Sequence, residues 1–129
     1  MDLFKRILNT PKDANPASGA PAVEPRHITA AEFDAVILGS ALPAVVDFWA
    51  EWCGPCHAIA PAVANLASEF AGRALVAKLD ADEAPDIVAR YGIMGIPTLI
   101  YVNDGREVDR QVGMTSYGAL KKKMERLLA

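Results

Sequence analysis

The fold is decided by the stretch Val46-Asp47-Phe48-Trp49-Ala50-Glu51-Trp52-Cys53-Gly54-Pro55-Cys56, within which one kind of structure gives way to another. The run 44–50 is nearly all apolar rather than alternating, which is typical of a strand buried on both faces. A helix-like sequence over 57–70 follows it. A strand that ends where a helix begins is a good place for a thiolate, because the first N–H groups of a helix lack partners and its dipole is positive there.

Cys53 and Cys56 are the only cysteines among the 129 residues. Two thiols separated by two residues can close into a small disulfide ring, so we interpret them as a dithiol that cycles between reduced and oxidised forms. We expect Cys53, at the mouth of the helix, to be the exposed nucleophile. Cys56 lies one turn further in, so we expect it to be more buried and to resolve a mixed disulfide. An inert buried pair is the alternative.

Other uses of the two cysteines fit the sequence less well. A structural disulfide over so short a span constrains little chain, and a structural zinc site would need further ligands that the neighbouring sequence does not offer. The string from Cys53 to His57 also matches the pattern for covalent haem c attachment, which requires export and an axial ligand. The contribution of His57 stays open; the simplest interpretation is an exposed helix residue that lends the thiols positive charge at lower pH.

Composition indicates one globular domain. Apolar residues make up 52% of the chain, and its formal net charge of -3 argues against a nucleic-acid partner. Residues 1–8 lack the apolar core and cleavage site of a secretory signal, and no apolar stretch is long enough to span a bilayer. We therefore expect a cytoplasmic protein that binds no membrane. A mitochondrial transit peptide is the weaker alternative, since acidic residues occur among the few basic ones.

The order of patterns along the chain predicts an α/β fold. Residues 11–25 are rich in proline and small residues, and residues 1–23 are predicted to be a flexible N-terminal extension, with the folded domain over 24–129. Thr29 and Glu32 have capping-box spacing, which predicts a helix that ends at Gly39. Strands that alternate with helices and then close in a hairpin indicate a mixed sheet. The remaining elements are predicted as strands over 75–79, 98–102 and 107–112 and helices over 85–91 and 116–128.

Three further residues are candidates for the site. Asp47 is a carboxylate within an apolar strand, so burial should raise its pKa and allow proton exchange near neutral pH. Lys78, on the neighbouring predicted strand, is the expected charge partner, and a purely structural Asp–Lys pair is the equal alternative. Pro97 directly precedes an apolar strand, which predicts a turn or a cis peptide rather than a strand interior.

The stretch 46–56, together with Gly92-Ile93-Met94-Gly95-Ile96-Pro97-Thr98, closely resembles the thioredoxin family from about residue 24 onward. The resemblance implies the thioredoxin fold, a central mixed β-sheet flanked by four helices. It also implies a protein-disulfide reductase, an electron carrier in which Cys53 attacks a target disulfide and Cys56 resolves the mixed disulfide. The family's buried aspartate, its lysine neighbour and its cis-proline match Asp47, Lys78 and Pro97.

The resemblance further implies a docking surface and partners. The backbone of Ile96 would pair with an extended substrate segment. Partners would be disulfide-containing target proteins and thioredoxin reductase, which supplies electrons from NADPH, with no cofactor or metal bound and the chain a monomer. The surface around the thiol would comprise Trp52, Gly54, Pro55, Gly95 and Gly113.

Two departures from the family pattern stand out: His57 replaces the usual lysine, and residues 1–23 are absent from the shortest members. Gly54-Pro55 between the cysteines resembles a reductant better than an oxidase or isomerase. The alternative is a thioredoxin-fold interaction module whose redox activity is incidental.

Overall fold

The computed structural model describes residues 22–129, in which five strands form one sheet in the order β1-β3-β2-β4-β5. β1 and β2 each pair with β3 in parallel, whereas β4 is antiparallel to both β2 and β5. The predicted mixed sheet is therefore confirmed. The sequence patterns did not predict β1. The strands are β1 Arg26–Ile28, β2 Ala44–Trp49, β3 Leu75–Asp80, β4 Thr98–Asn103 and β5 Arg106–Val112.

The helices flank this sheet, and the first predicted helix is present with an unusual hydrogen-bond spacing. Thr29 and Glu32 form the predicted capping box, but the segment it opens is a 3₁₀ turn followed by a π-helix rather than an α-helix. The wide turns end where the Gly39 N–H donates to the Asp34 carbonyl at 2.9 Å. The helical elements are the 3₁₀ turn Ala30–Glu32, the π-helix Asp34–Leu38, α1 Gly54–Glu69, a second 3₁₀ turn Ala81–Glu83, α2 Pro85–Arg90 and α3 Tyr117–Leu128.

β2 lies at the centre of the sheet and is buried on both faces, as its nearly all-apolar sequence predicts. Val46 and Phe48 pack into the cluster that also holds Phe33 and Ile37. Val45 packs on the opposite face, among buried residues of α1 and α3. Since successive side chains of a strand alternate between faces, Asp47 shares the face of Val45, beneath α1 and α3.

The hairpin between β4 and β5 has the predicted tight turn. Asp104 and Gly105 both have positive φ, 51° and 75°, as a two-residue turn of this kind requires. α3 begins after Ser116, whose hydroxyl accepts a hydrogen bond from the Ala119 N–H. Its apolar face buries Leu120 and Met124 against the sheet, so the predicted amphipathic helix is present.

The predicted extension, residues 1–23, lies outside the described residues apart from Ala22 and Val23. The Val23 N–H donates to the hydroxyl of Ser68 at 3.0 Å, and that hydroxyl donates to the Val23 carbonyl at 3.1 Å. The described chain therefore begins against the C-terminal part of α1. Within residues 22–129, no helix has the length and apolar character needed to cross a membrane.

Candidate active site

Cys53 sits at the junction where β2 has ended and α1 begins. Its backbone is extended, with φ -87° and ψ 105°, and it is the N-cap residue of the helix. The Cys56 N–H donates to the Cys53 sulfur at 3.2 Å, so the sulfur satisfies one of the otherwise unpaired N–H groups of the first turn. Cys53 and Cys56 form a disulfide. The same N–H donation would stabilise a Cys53 thiolate once the disulfide is reduced.

Both cysteines are buried in this oxidised form. Cys53 is 3% exposed and Cys56 is 1% exposed. The prediction of an exposed Cys53 is therefore wrong for the oxidised protein, although Cys56 is the deeper of the two. The cause is local packing, because Ala50, Trp49 and Ile96 close around the pair.

The segment before β4 lies beside the disulfide. The Ile96–Pro97 peptide bond is cis, and the Ile96 carbonyl oxygen lies 3.8 Å from the Cys53 sulfur. The Pro97 carbonyl accepts a hydrogen bond from the Gly113 N–H at 2.8 Å. Gly113 has φ 80°, a conformation that favours glycine. The structure thus places Ile96 beside Cys53 and joins Gly113 to the neighbouring Pro97.

Asp47 is fully buried, and neither of its carboxylate oxygens has a hydrogen-bond partner within residues 22–129. Burial raises the pKa of Asp47 to about 6, against the opposing effect of the Lys78 charge. A buried carboxyl group of this kind can exchange a proton near neutral pH.

Lys78 lies opposite Asp47 in the register of β2 and β3. No ion pair within 4.0 Å joins their side chains among the described residues. The Lys78 ammonium instead lies 4.8 Å from the centroid of the Trp49 ring, a cation–π contact. The expected charge partner therefore acts on Asp47 at longer range than a direct pair.

Trp52 is 71% exposed, and its indole N–H donates to Asp82 at 2.8 Å. Sequence reasoning missed Asp82, since it lies 30 positions further along the chain and no local pattern joins the two. Three exposed apolar side chains beside the predicted surface glycines were missed as well: Met94 next to Gly95, and Val112 and Met114 on either side of Gly113. Gly54, Pro55 and Gly95 are exposed.

His57 ties the first turn of α1 back to the preceding loop. Its Nε2 atom lies 2.7 Å from the Glu51 carbonyl oxygen. Because a carbonyl can only accept, Nε2 carries the donated proton. The imidazole also stands edge-on to the Trp49 ring, with 6.1 Å between centroids. His27 of β1 approaches the same indole at 6.3 Å.

Metal and haem chemistry find no support in the described chain. Within residues 22–129, no group of three or more His, Cys, Asp or Glu is arranged to hold a metal ion. Both sulfurs of the haem-like string are joined to each other in this structure.

A model of the thioredoxin family matches residues 24–126. The chain is 38% identical over 105 residues to "Thioredoxin M-type, chloroplastic" of Pisum sativum, an alignment that covers 81% of this chain and 61% of the pea protein. It is 43% identical over 93 residues to "Thioredoxin 2" of Chlorobaculum tepidum, covering 72% and 85%. It is 44% identical over 87 residues to "Thioredoxin" of Haemophilus influenzae, covering 67% and 81%. The chain thus spans less than two thirds of the pea protein's length but most of each bacterial relative.

A mixed sheet that carries a disulfide at the start of a helix defines a thiol–disulfide oxidoreductase. With the family match over residues 24–126, this chain belongs to the thioredoxin family. No observation favours the alternative of an interaction module with incidental redox activity.

Proposed function

We propose that the chain reduces disulfides in target proteins through a Cys53/Cys56 cycle. The observation that carries this proposal is the disulfide at the N-cap of α1, with the Ile96 carbonyl 3.8 Å from its first sulfur. A thiolate at Cys53 is favoured by the Cys56 N–H and the helix dipole. The adjacent backbone of Ile96 offers an edge on which an extended target segment can pair.

The reaction runs in two exchanges. The Cys53 thiolate attacks one sulfur of the target disulfide, a new S–S bond forms between them, and the other target sulfur leaves as a thiolate. The Cys56 thiolate then attacks the Cys53 sulfur and releases the second target thiolate. Two electrons pass to the target, and the chain ends with the Cys53–Cys56 disulfide that the structure contains.

Asp47 is proposed to take the proton that Cys56 must lose before the second exchange. Its raised pKa of about 6 makes the carboxylate a suitable base near neutral pH. It lies on the sheet face that α1 covers, the helix whose first turn holds Cys56. Lys78, in register with Asp47, helps to keep the carboxylate ionised between turnovers.

Targets dock on the exposed apolar and small-residue surface around the disulfide. Trp52, held by Asp82, forms one side of this surface. We further propose that the protein works as a cytoplasmic monomer without a cofactor of its own, and that thioredoxin reductase recharges it with electrons from NADPH. The other members of the surface are Gly54, Pro55 and Gly95, which are exposed, Ile96 and Gly113, which are half-buried, and Pro97, whose side chain is buried.

Single-cysteine variants test the direction of the cycle. Cys53→Ser should abolish insulin reduction with dithiothreitol as electron source, because the attacking sulfur is gone. Cys56→Ser should still attack but not release, so target proteins should accumulate as mixed disulfides on Cys53, separable on non-reducing gels. Insulin reduction at the wild-type rate by Cys53→Ser, or trapping by Cys53→Ser instead of Cys56→Ser, would overturn the assignment.

A further inference from the structure

Thr98, the first residue of β4, is buried to 1% exposure, and the chemistry proposed above does not use it. Asp47 is the other buried polar or charged side chain of the described core. A buried hydroxyl must find a hydrogen-bond partner. Here the Thr98 hydroxyl donates to the Gly95 carbonyl at 2.6 Å, and so reaches back across the cis-proline to the loop beside Cys53.

The bonds of this loop leave one residue's peptide groups free. The Gly95 carbonyl accepts from Thr98, and the Pro97 carbonyl accepts from the Gly113 N–H. Between them, neither the N–H nor the C=O of Ile96 has a backbone partner among residues 22–129, and its carbonyl oxygen lies 3.8 Å from the Cys53 sulfur. The flanking carbonyls are held by the protein, and the middle peptide groups remain for an incoming chain.

We propose that Thr98 is a positioning residue for protein targets: its hydroxyl fixes the Gly95 carbonyl and thereby orients the N–H and C=O of Ile96 for β-pairing with the target backbone. This inference rests on the proposed disulfide-reductase function and deepens it. Its consequence is selectivity, because a disulfide carried on a peptide chain uses this edge whereas a small disulfide without a peptide backbone does not.

A threonine-to-valine exchange isolates the hydroxyl. The two side chains have similar shape and suit a strand equally well, so the packing at the start of β4 is kept. The valine leaves the Gly95 carbonyl without its hydrogen-bond donor. The peptide groups of Ile96 are then no longer held in one orientation. A serine keeps the donor and loses only a methyl group, so it serves as the matched control.

The experiment compares two substrates for the wild type, Thr98→Val and Thr98→Ser. The substrates are insulin, whose disulfides lie on peptide chains, and dithiobis(nitrobenzoate), which has no peptide backbone. For Thr98→Val, kcat/KM on insulin should fall about fivefold to tenfold, mainly through a higher KM, the effect of about one hydrogen bond. Its rate with the small disulfide should stay within about twofold of the wild type, and Thr98→Ser should restore insulin reduction.

Equal losses on both substrates would overturn the proposal, because they would mean that the hydroxyl supports the dithiol or the fold as a whole. Unchanged insulin kinetics in Thr98→Val would overturn it as well. If Thr98→Val does not fold, Thr98→Ser and Thr98→Ala give the same comparison, since they differ only in the hydroxyl. Failure of the underlying function is distinguishable, because the wild type itself would then not reduce insulin.

Discussion

Asp47 lies among apolar neighbours in β2, and its carboxylate has no hydrogen-bond donor in the described part of the chain. Burial raises its pKa from 3.8 to about 6. The unfolded chain releases this proton at lower pH than the folded chain, so the folded state loses stability as the pH rises from about 4 to about 6, and the loss persists above that range. The gap between the two pKa values corresponds to about 3 kcal/mol at neutral pH.

Replacement of Asp47 by alanine should therefore remove this contribution to the pH dependence of the free energy of unfolding. Urea unfolding at several pH values between about 4 and about 7.5 should show the wild type losing up to about 3 kcal/mol relative to Asp47→Ala across that range. Glu125→Ala, which removes an exposed carboxylate from α3, should keep the wild-type dependence. Parallel curves for the wild type and Asp47→Ala would contradict the raised pKa.

The same variant tests the proton transfer. In single-turnover kinetics, Asp47→Ala should slow the resolution of the mixed disulfide more than the first attack, because only the second exchange needs Cys56 to lose its proton. Equal slowing of both steps would assign Asp47 a structural role alone.

At the scale of elements, the β2–α1 junction carries the site, and His57 braces it through the Glu51 carbonyl. This bond links the first turn of α1 to Glu51, which lies ahead of the N-cap residue Cys53. The imidazole also covers the edge of Trp49. His57, which stands where the family usually has lysine, thus connects the first turn of α1 to the preceding loop.

Loss of this brace should be measurable. His57→Ala should lower the free energy of unfolding of the oxidised protein by about 1 kcal/mol, as expected for one hydrogen bond and an aromatic contact near the surface. Asn65→Ala, at an exposed position further along α1, should not lower it. Urea denaturation of the three proteins gives the comparison. A His57→Ala protein as stable as the wild type would show that the bond contributes nothing.

The elements that the sequence predicts well are those with strong local signals. Three elements can be predicted from a few neighbouring residues: the apolar run of β2, the turn at 103–105 and the amphipathic face of α3. β1 was missed because it has only three residues, and it exists through its pairing with β3, far along the chain. The helix after Thr29 was predicted but its π-type was not, because a capping box specifies where a helix starts and not its hydrogen-bond spacing.

At the scale of the whole molecule, sequence patterns and resemblance together indicated a mixed sheet with helices on its faces, but spacing alone does not specify the strand order. The order β1-β3-β2-β4-β5 depends on which faces pack together. The same limit applies to the site. The local sequence pattern is enough to identify Cys53, Cys56 and Asp47 as candidates. The hydrogen bond between Trp52 and Asp82 could not be predicted in this way, because it joins distant segments. The same holds for the cation–π contact between Lys78 and Trp49.

The domain boundary can be located by two deletions. Removal of residues 1–21 should leave insulin reduction and the unfolding midpoint unchanged, because every described contact of the domain remains. Removal of residues 1–23 should leave insulin reduction unchanged but lower the free energy of unfolding by about 1 kcal/mol. The reason is that Ser68 loses both of its hydrogen bonds to the deleted Val23. Urea denaturation and the insulin assay measure the two quantities. A large loss of reduction in either deletion would place the extension in the site.

The bonds between Val23 and Ser68 also fix where the chain leaves the domain. Ser68 lies in the last turn of α1 and Cys53 caps its first, so the two ends are about 20 Å apart along the helix axis. A group attached directly at Ala22 would therefore lie near the end of α1 that is away from Cys53. A bead, an electrode or a fusion partner joined directly to Ala22 of a chain shortened to residues 22–129 would leave the surface around Cys53 open to large substrates.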